Sequence, residues 1–346
     1  MRALTVRPGL ANSAFLADVP EPSLQEGGVL VQALALGICG TDREIVAGDY
    51  GWAPPNANHL MLGHESLGRV IEAPPGSGFV PGDLVVGIVR RPDPVPCPAC
   101  AKNAWDMCSN GQYTERGIKQ RHGYGSELFR VEADFLIKLD PALGPLGVLL
   151  EPTSVVAKAW EHVSRIGERA GGWQPQCALV TGAGPVGLLA ALIGVQMGLK
   201  LHVLDRAKDG PKPELVRALG GTYHTDLGNL RPDVVIECTG APAVVLDVLN
   251  RAAPDGVVCL AGVSSGGRSL PFDVGAYNRT MVLQNNVVFG SVNANRRHYA
   301  AAADALAKAD PAWLARLITR RVPLARWQEA LERRPGDIKV VLDFTA

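Results

Sequence analysis

What this sequence lacks narrows its functions from the start. Its 34 lysines and arginines are balanced by 34 aspartates and glutamates, so no net charge attracts nucleic acid or an anionic membrane surface. The longest apolar run, near residues 188–195, is too short to cross a bilayer. The opening residues, MRALTV, are typical of a strand rather than of a secretory signal. We therefore expect a cytoplasmic protein that binds neither nucleic acid nor membranes.

The sequence also lacks an even number of cysteines, so its cysteines cannot all pair within one chain. Seven thiols in 346 residues argue against a complete disulfide framework and favour reduced thiols or metal ligands. Internal repeats and low-complexity segments are absent. Short basic pairs such as Arg90–Arg91 and Arg320–Arg321 are interpreted as solvated surface rather than as binding patches. The length favours two domains, because a single core rarely grows beyond about 250–300 residues.

Two different patterns follow each other along the chain. Residues 1–150 carry short apolar runs between glycine, proline and aspartate turns, which predicts a β-rich segment. From Cys177 onward, apolar strands such as CALVT and LHVLD alternate with helical stretches. Such alternation is typical of a parallel sheet with right-handed crossovers. After Asn293 we expect helices and then a closing strand in DIKVVLDF.

A glycine-rich turn joins the first of these strands to its helix. Gly182, Gly184 and Gly187 form a GxGxxG pattern that permits a tight turn, close approach of a pyrophosphate, and close packing of helix on strand. Asp205 ends the next strand, where an acid binds ribose hydroxyls. The pattern predicts an NAD(P) site, the alternative being a glycine turn without a ligand. The predicted cofactor-binding residues are Gly182, Gly184, Pro185, Val186, Gly187, Asp205, Arg206, Thr239 and Gly262.

The choice between the two cofactors is left open by these residues. The Asp205 carboxylate repels a 2′-phosphate and so favours NAD. Arg206 and Lys208 follow directly and could bind that phosphate instead, unless Arg206 is only a solvated loop charge. We expect both NAD and NADP to be used, with the acid shifting the preference towards NAD.

Three separate segments carry side chains suited to a catalytic metal. GICGTD contains the possible ligands Cys39, Thr41 and Asp42, LGHESLG contains His64 and Glu65, and LLEPTSV contains Glu151. One thiolate, one imidazole and carboxylates make a zinc site with a position left for water or substrate. Zinc lowers the pKa of a bound hydroxyl, after which hydride leaves carbon more readily. Thr41 is predicted to relay the proton, the alternative being a turn or cap residue.

In order and spacing, GICGTDRE, GHESLGRV, PGDLVVG and GAGPVG resemble the medium-chain zinc dehydrogenase/reductase family over nearly the whole chain. Within that family the chain is most similar to the microbial glucose dehydrogenases, on the blocks VRRP, MCSNGQYTERGI, HGYGSE, LLEPTSVVAKAWEH and NRTMVLQNNVVFGSVNA. The resemblance implies an α/β protein with a GroES-like β-barrel catalytic domain over residues 1–152 and 292–346. It also implies a doubly wound Rossmann NAD(P)-binding domain over residues 153–291.

The same resemblance implies an activity and an assembly. Glucose or a related aldose would be oxidised at C1 to the aldonolactone, by a homo-tetramer or homo-dimer. The alternatives are a zinc polyol or secondary-alcohol dehydrogenase of the same fold, and a non-catalytic NAD(P)-binding protein. The implied ligands of the catalytic zinc are Cys39, His64 and Glu65, with Glu151 as a direct or water-bridged ligand. The implied sugar contacts are Glu115, Glu151, Asn293 and His298.

Glu115 also has a simpler interpretation, since an exposed acid is the usual case. The alternative to a sugar contact is a surface salt bridge with Arg116 or Lys119. Carboxylates such as Glu115 and Glu151 suit a neutral sugar because they accept hydrogen bonds from several hydroxyls, and such a site rejects analogues that lack them.

A second metal site is implied with one member missing. Cys97, Cys100 and Cys108 are spaced C-x2-C-x7-C and match the last three cysteines of the family's structural zinc lobe. The first position falls at Pro94, which cannot bind metal, and the adjacent Asp93 is expected to supply an oxygen ligand. The alternative is a lobe that has lost its zinc. The other cysteines of the predicted nucleotide domain are interpreted as small core residues of its strands: Cys177, Cys238 and Cys259.

Overall fold

The computed structural model describes residues 1–264, 266 and 269–346. They form two compact units, one comprising Met1–Glu151 with Asn293–Ala346 and the other Pro152–Val292. The predicted domain divisions, after residue 152 and before residue 292, lie one residue from these bounds.

Short strands dominate the first part of the chain, as the spacing of its turns predicts. In chain order they are β1 (Arg2–Val6), β2 (Phe15–Asp18), β3 (Val29–Ile38), helix α1 (Gly40–Ala47), β4 (Leu60–Met61), β5 (Glu65–Glu72), β6 (Leu84–Gly87), β7 (Arg90–Arg91), β8 (Thr114–Arg116), β9 (Gln120–Arg121), β10 (Leu128–Val131) and β11 (Leu136–Lys138).

Helices and strands then alternate, as the change of pattern at Cys177 predicts. The middle elements are α2 (Leu150–Gly167), β12 (Cys177–Thr181), α3 (Pro185–Gln196), β13 (Lys200–Leu204), α4 (Pro211–Ala218), β14 (Thr222–His224), β15 (Val234–Glu237), α5 (Pro242–Leu249), β16 (Val257–Leu260), α6 (Val274–Gln284) and β17 (Val287–Gly290). The tail contains α7 (Arg296–Ala307), α8 (Pro311–Leu317), β18 (Ile318–Pro323), α9 (Trp327–Leu331) and β19 (Lys339–Asp343).

The first unit is built on a seven-stranded sheet. Its strands lie in the order β11-β6-β5-β3-β19-β18, with β10 also paired to β3. The central strand β3 runs antiparallel to both β5 and β19, which places Gly37 opposite Glu65 and Val341. Side chains alternate between the two faces of a strand, and Val29, Val31 and other inward residues form the core of this unit. The smaller sheets β2-β1-β4 and β7-β8-β9 complete it.

The second unit contains a six-stranded parallel sheet in the order β14-β13-β12-β15-β16-β17. The chain starts in the middle with β12, moves outward to β14, and returns to β15 on the other side. This doubly wound order confirms the predicted α/β class. The strand order reverses between β12 and β15, and sheets of this kind bind ligands at that point, beyond the carboxyl ends of the strands. Among the described residues, no helix has both the length and the apolarity needed to span a bilayer.

Two predictions about single side chains are wrong. Arg90 and Arg91 do not lie at the solvated surface, since each is only 4% exposed. Both guanidinium groups find buried partners, which removes the usual cost of enclosing a charge. Of the three cysteines expected in the core of the parallel sheet, Cys259 is buried, whereas Cys177 and Cys238 are half-buried.

Candidate active site

Cys39 lies where β3 ends and α1 begins. It is the N-cap residue of α1, and the Asp42 carboxylate accepts a hydrogen bond from its N–H at 2.9 Å. Thr41 lies in the first turn of the helix, and its Oγ1 accepts a hydrogen bond from the Cys39 thiol at 3.9 Å. The start of the helix therefore sets both the thiol and the hydroxyl in place.

The structure brings together Cys39, His64 and Glu65 from the two neighbouring strands β3 and β5. One ligand atom from each lies within 4.8 Å of the others, and His64 and Glu65 are both buried. Gly37 makes room for the carboxylate, because a Cβ at that position would lie 2.0 Å from Glu65 Oε2.

Asp42 has a second role, towards the imidazole ring. Its Oδ1 lies 3.4 Å from His64 Nδ1, and both side chains are buried. Burial alone would lower the pKa of His64, but the Asp42 carboxylate outweighs it and raises that pKa well above its usual value. Burial would likewise raise the pKa of Asp42, and the pairing with His64 lowers it instead. A carboxylate on one ring nitrogen fixes the ring's orientation for a metal at the other nitrogen.

Lys339 was missed by the sequence reasoning. This lysine opens β19, is 1% exposed, and places Nζ 2.6 and 2.8 Å from the two oxygens of Glu65. Burial alone would lower the pKa of Lys339, but the Glu65 carboxylate raises it. In the sequence, this lysine stands at the start of the apolar run KVVLDF. A lysine in that position is equally well explained as a solvated strand end.

Glu151 lies in the first turn of α2 and is 9% exposed. Burial raises the pKa of its carboxyl group to about 7, helped by the negative charges of Glu65 and Asp42 and opposed by His64 and Lys339. Glu151 is not among the three residues whose ligand atoms lie within 4.8 Å of one another, so its expected role as a direct or water-bridged ligand stays a prediction.

The donor set of this cluster fits a divalent zinc ion. One sulfur, one imidazole nitrogen and carboxylate oxygens are the ligands of catalytic zinc sites that keep a position for substrate. A bound dication would hold Cys39 as a thiolate, and together with Lys339 it would balance the charges of that thiolate, Glu65 and Asp42.

Glu115 lies in β8 and is buried, with 6% of its surface exposed. Arg90, opposite it in register on β7, places two nitrogens 2.9 and 3.0 Å from Oε1. Asn293 Nδ2 donates to the same oxygen at 2.7 Å. The alternative of a surface salt bridge with Arg116 or Lys119 is therefore wrong. The sequence reasoning missed Arg90, which also stacks on the Tyr113 ring at 3.6 Å.

Asn293 and His298 differ in what surrounds them. Asn293 has a left-handed backbone, with φ of 61°, which places its amide on Glu115. His298 is 1% exposed, and its Nδ1 accepts a hydrogen bond from Asn295 N at 3.1 Å in the first turn of α7. The structure thus encloses the His298 ring in a helix cap, and its expected sugar contact stays a prediction.

In the second unit, the three glycines of the predicted turn have different surroundings. Gly182 has φ of +88°, and a Cβ on Gly187 would lie 1.7 Å from the Gly182 carbonyl oxygen. A Cβ on Gly184 would meet nothing within 4 Å. Open space therefore lies beside the N-terminus of α3, whose unpaired N–H groups and helix dipole attract phosphate.

Asp205 follows β13 and accepts hydrogen bonds from Ala183 N at 2.7 Å and Ala207 N at 3.0 Å. Lys212, which the sequence reasoning missed, lies 3.1 Å from the same carboxylate. Burial would raise the pKa of Asp205, but these partners lower it. The acid ties the glycine turn to the neighbouring strand, and its contact with ribose stays a prediction.

The other predicted cofactor residues lie near the same edge or at the surface. Thr239 and Gly262 follow the carboxyl ends of β15 and β16, the two strands beyond the reversal point. Pro185 and Val186 form the first turn of α3, and Arg206 is exposed.

The three cysteines of the expected second metal site also converge. The thiols of Cys97, Cys100 and Cys108 lie within 4.8 Å of one another, and none is in a disulfide. Backbone N–H groups of Cys100 and Ser109 lower the pKa of Cys97 to about 6. Burial raises the pKa of Cys100 to about 11, and the neighbouring thiols add to this.

Asp93, the expected fourth ligand, lies outside that group of three thiols. Its side chain is 5% exposed, and Oδ1 accepts a hydrogen bond from Val95 N at 2.8 Å. Its Oδ2 is buried and has no hydrogen-bond partner in the described part of the chain. A cation would satisfy that oxygen.

Family patterns cover nearly all of the chain. Residues 25–141 match the alcohol dehydrogenase GroES-like domain, and residues 144–344 match the glucose dehydrogenase C-terminus. The doubly wound sheet and the Cys–His–Glu cluster thus define a zinc-type medium-chain dehydrogenase. Within this class, the chain belongs to the glucose dehydrogenase family.

Relatives of known name are similar over the full length. The chain is 40% identical over 352 residues to glucose 1-dehydrogenase 2 of Vulcanisaeta moutnovskia, and 43% identical over 351 residues to glucose 1-dehydrogenase of Thermoproteus tenax, with 99% of each chain covered. Among solved structures, Haloferax mediterranei glucose dehydrogenase in complex with NADP, zinc and gluconolactone matches with a TM-score of 0.92, 33% identity and 100% coverage of both chains.

Proposed function

We propose that this protein is a zinc-dependent glucose 1-dehydrogenase, which oxidises D-glucose or a closely related aldose at C1 to the aldonolactone with NAD(P)⁺. The observation that carries the proposal is the buried cluster of Cys39, His64 and Glu65. It lies in a chain that is 43% identical over 351 residues to an enzyme named glucose 1-dehydrogenase.

Each residue of the cluster has a distinct task. Cys39, His64 and Glu65 would hold the zinc, with Glu151 as a direct or water-bridged ligand. Bound zinc lowers the pKa of a hydroxyl, and NAD(P)⁺ takes up the hydride. Thr41, beside the Cys39 thiol, receives the proton of the sugar hydroxyl and passes it to solvent.

The supporting residues keep this arrangement in place. Asp42 orients the imidazole through Nδ1. Lys339, in the sheet strand β19, offsets the charge of Glu65. Neither is expected to touch the sugar.

Buried polar groups around Glu115 favour a sugar over an apolar alcohol. Arg90 and Asn293 hold one oxygen of Glu115, and the other oxygen makes neither of these bonds. A sugar hydroxyl would donate to it, and an analogue without that hydroxyl would lose this bond. Glu151 and His298 are proposed as further sugar contacts.

Both NAD and NADP are proposed as coenzymes. The Asp205 carboxylate disfavours a 2′-phosphate, whereas Lys212 beside it and the exposed Arg206 favour one. The glycine turn with open space at Gly184 supports binding of the pyrophosphate.

A second, structural zinc is proposed on Cys97, Cys100 and Cys108 with Asp93 as the fourth ligand. The close approach of the three thiols and the unsatisfied Asp93 Oδ2 support it. All seven cysteines are free, which supports the proposed location in the reducing cytoplasm.

The test is a panel of substrates with each coenzyme, before and after chelation. We expect glucose, galactose or xylose to be oxidised faster than sorbitol, threonine or simple alcohols, and chelation to abolish turnover. Cys39→Ala should lower kcat by roughly 10³-fold or more, since zinc contributes several kcal/mol to the transition state. Its affinity for NAD(P)H should not change, and Cys177→Ala serves as the control cysteine. A preference for polyols would support the alternative enzyme, and full activity of Cys39→Ala would exclude the proposed zinc site.

A further inference from the structure

The parallel sheet contains a buried carboxylate that the roles above do not use. Glu237 ends β15 and is 0% exposed. In the described part of the chain it has no lysine, arginine or histidine within ion-pair distance, although an unpaired buried charge is costly. Something other than a counter-charge must therefore stabilise it.

Hydrogen bonds from four donors replace the missing cation. Glu237 Oε1 accepts from Thr181 Oγ1 at 3.1 Å, from Thr239 N at 2.7 Å and from Thr239 Oγ1 at 2.5 Å. Its Oε2 accepts from Gly240 N at 3.1 Å. Charge-assisted bonds of this kind are roughly twice as strong as neutral ones, so the carboxylate binds these donors firmly.

These donors stand on both sides of the point where the sheet reverses. Thr181 ends β12 and immediately precedes the glycine turn, whereas Thr239 and Gly240 follow β15. The loop after β16 is bound by the main chain of the same residue, since the Glu237 carbonyl accepts hydrogen bonds from Ala261 N and Gly262 N at 2.8 Å each. A Cβ on Gly262 would lie 2.7 Å from Glu237 Oε2, so the carboxylate leaves room only for glycine there. The side chain therefore links two strand ends, of β12 and β15, at the edge where a doubly wound sheet binds its ligand.

We propose that Glu237 is a positioning residue for the dinucleotide. Its side chain holds the glycine turn after Thr181 and the corner at Thr239 in one arrangement before the coenzyme arrives, beside the loop at Gly262 that its main chain binds. This inference rests on the proposed function, which places NAD(P) at that edge. Preorganised groups bind more tightly because they do not lose further freedom on binding.

The informative variant is Glu237→Gln. An amide keeps one acceptor oxygen but turns an NH₂ group towards either the Gly240 N–H or the Thr181–Thr239 donors, so that two donors face each other. The shape of the side chain is preserved, and the edge loses its common acceptor.

Asp233 offers a matched control at the other end of the same two strands. Its Oδ2 accepts hydrogen bonds from Gln176 N at 2.7 Å and Cys177 N at 2.9 Å, and so it also links β12 to β15. These bonds lie at the amino ends of the strands, away from the proposed coenzyme edge. Asp233→Ala removes both of them and is the harsher loss.

NADH and NADPH are titrated into the zinc-loaded wild type and each variant, and the change in coenzyme fluorescence gives each Kd. The zinc content and the midpoint of urea unfolding are measured for the same proteins. Glu237→Gln should raise the Kd of both coenzymes about tenfold, as expected for one buried acceptor lost from the edge, with zinc unchanged. Asp233→Ala should lower the unfolding midpoint and leave both Kd values within about twofold. If Glu237→Gln does not fold, Thr181→Val removes one donor alone and should raise both Kd values about threefold.

Unchanged Kd values in both Glu237→Gln and Thr181→Val, with a lowered unfolding midpoint, would make Glu237 a structural residue only and overturn the inference. Asp205→Gly separates this failure from that of the proposed coenzyme site. If Asp205→Gly shifts the NADH-to-NADPH ratio of Kd values while Glu237→Gln does nothing, only the inference about Glu237 is lost. If none of the three variants changes either Kd, NAD(P) does not bind at this edge and both proposals fail.

Discussion

At the scale of single residues, two buried cations of the described chain each lie beside a buried carboxylate. Lys339 lies 2.6 Å from Glu65, and Arg90 lies 2.9 Å from Glu115. Removing one partner of such a pair leaves the other buried and unpaired, which costs about 3–5 kcal/mol. The pairs therefore hold two carboxylates of the candidate site, Glu65 and Glu115, in fixed positions.

A half-buried histidine, His122, contributes a dependence on pH to the stability of the first unit. His122 packs on the ring of His59 with centroids 5.3 Å apart, and its Nδ1 accepts a hydrogen bond from Met61 N at 3.1 Å. Burial, with the charges of His59 and Arg116, lowers the pKa of His122 from 6.5 to about 4. The folded state therefore binds fewer protons than the unfolded state between these pH values. The contribution of His122 to stability is therefore fully present above pH 6.5 and is lost as pH decreases towards 4.

His122→Asn should flatten that dependence, because Asn keeps an acceptor near the position of Nδ1 and does not titrate. Urea unfolding midpoints of wild type and variant, measured at intervals between pH 7 and pH 4.5, should approach each other as pH falls. The difference in slope should reach at most about one proton. Parallel curves over the whole range would show that His122 does not titrate between its two expected values.

At the scale of elements, local rules explain where helices begin. The periodicity predicts a helix over 153–169, and the structure has α2 at Leu150–Gly167. Pro152 fits this earlier start because a proline is tolerated in the first turn, where its missing N–H is not needed. Apolar spacing alone does not detect such a start.

The segment between Asp93 and Cys108 has only two short 3-10 turns, at Cys100–Lys102 and Trp105–Met107. A segment with so little regular structure gains stability from a metal that joins its ends. We predict that Cys100→Ser lowers the bound zinc from two ions per chain to one, with little change in the kcat for glucose. Zinc analysis of the dialysed protein measures this, with Cys177→Ser as control. A wild type that holds a single zinc would show that the lobe has lost its metal.

At the scale of the whole molecule, the described part of the second unit has an open sheet edge at β17 and a helix, α6, without a buried face. Strand β17 pairs with β16 on one side only, and α6 contains no buried residue. Val274, Val282 and Leu283 of α6 are each about two-thirds exposed, at 66%, 65% and 67%. An open strand edge and exposed apolar side chains are unfavourable in water. We propose that a second copy of the chain covers them in the expected homo-dimer or homo-tetramer.

Leu283→Glu should therefore shift the protein towards a smaller assembly, because it places a charge where apolar surface is to be buried. Light scattering on the eluting peak of a sizing column measures the mass. Leu24→Glu, at a leucine that is 74% exposed in the first unit, is the matched control and should leave the mass unchanged. A monomeric wild type, or an unchanged mass for Leu283→Glu, would contradict the proposed interface.

The sequence by itself determined those features that depend on neighbours along the chain. The strand–turn–helix at Gly182, Gly184 and Gly187, the alternation that marks a parallel sheet, and the residue types of a zinc site could all be predicted, because backbone conformation and ligand chemistry are local properties. Cys39, His64 and Glu65 were grouped by residue type, and the family resemblance, rather than their spacing, implied that all three bind the catalytic zinc.

Only the tertiary structure decided which distant charges meet. Lys339 and Glu65 lie 274 positions apart in the chain, and Asn293 and Glu115 lie 178 apart. No periodicity connects such positions, and by composition alone a charged residue is expected at the surface. Burial of these groups became favourable only once the pairing of strands had placed a partner beside each, and that partner is a property of the fold.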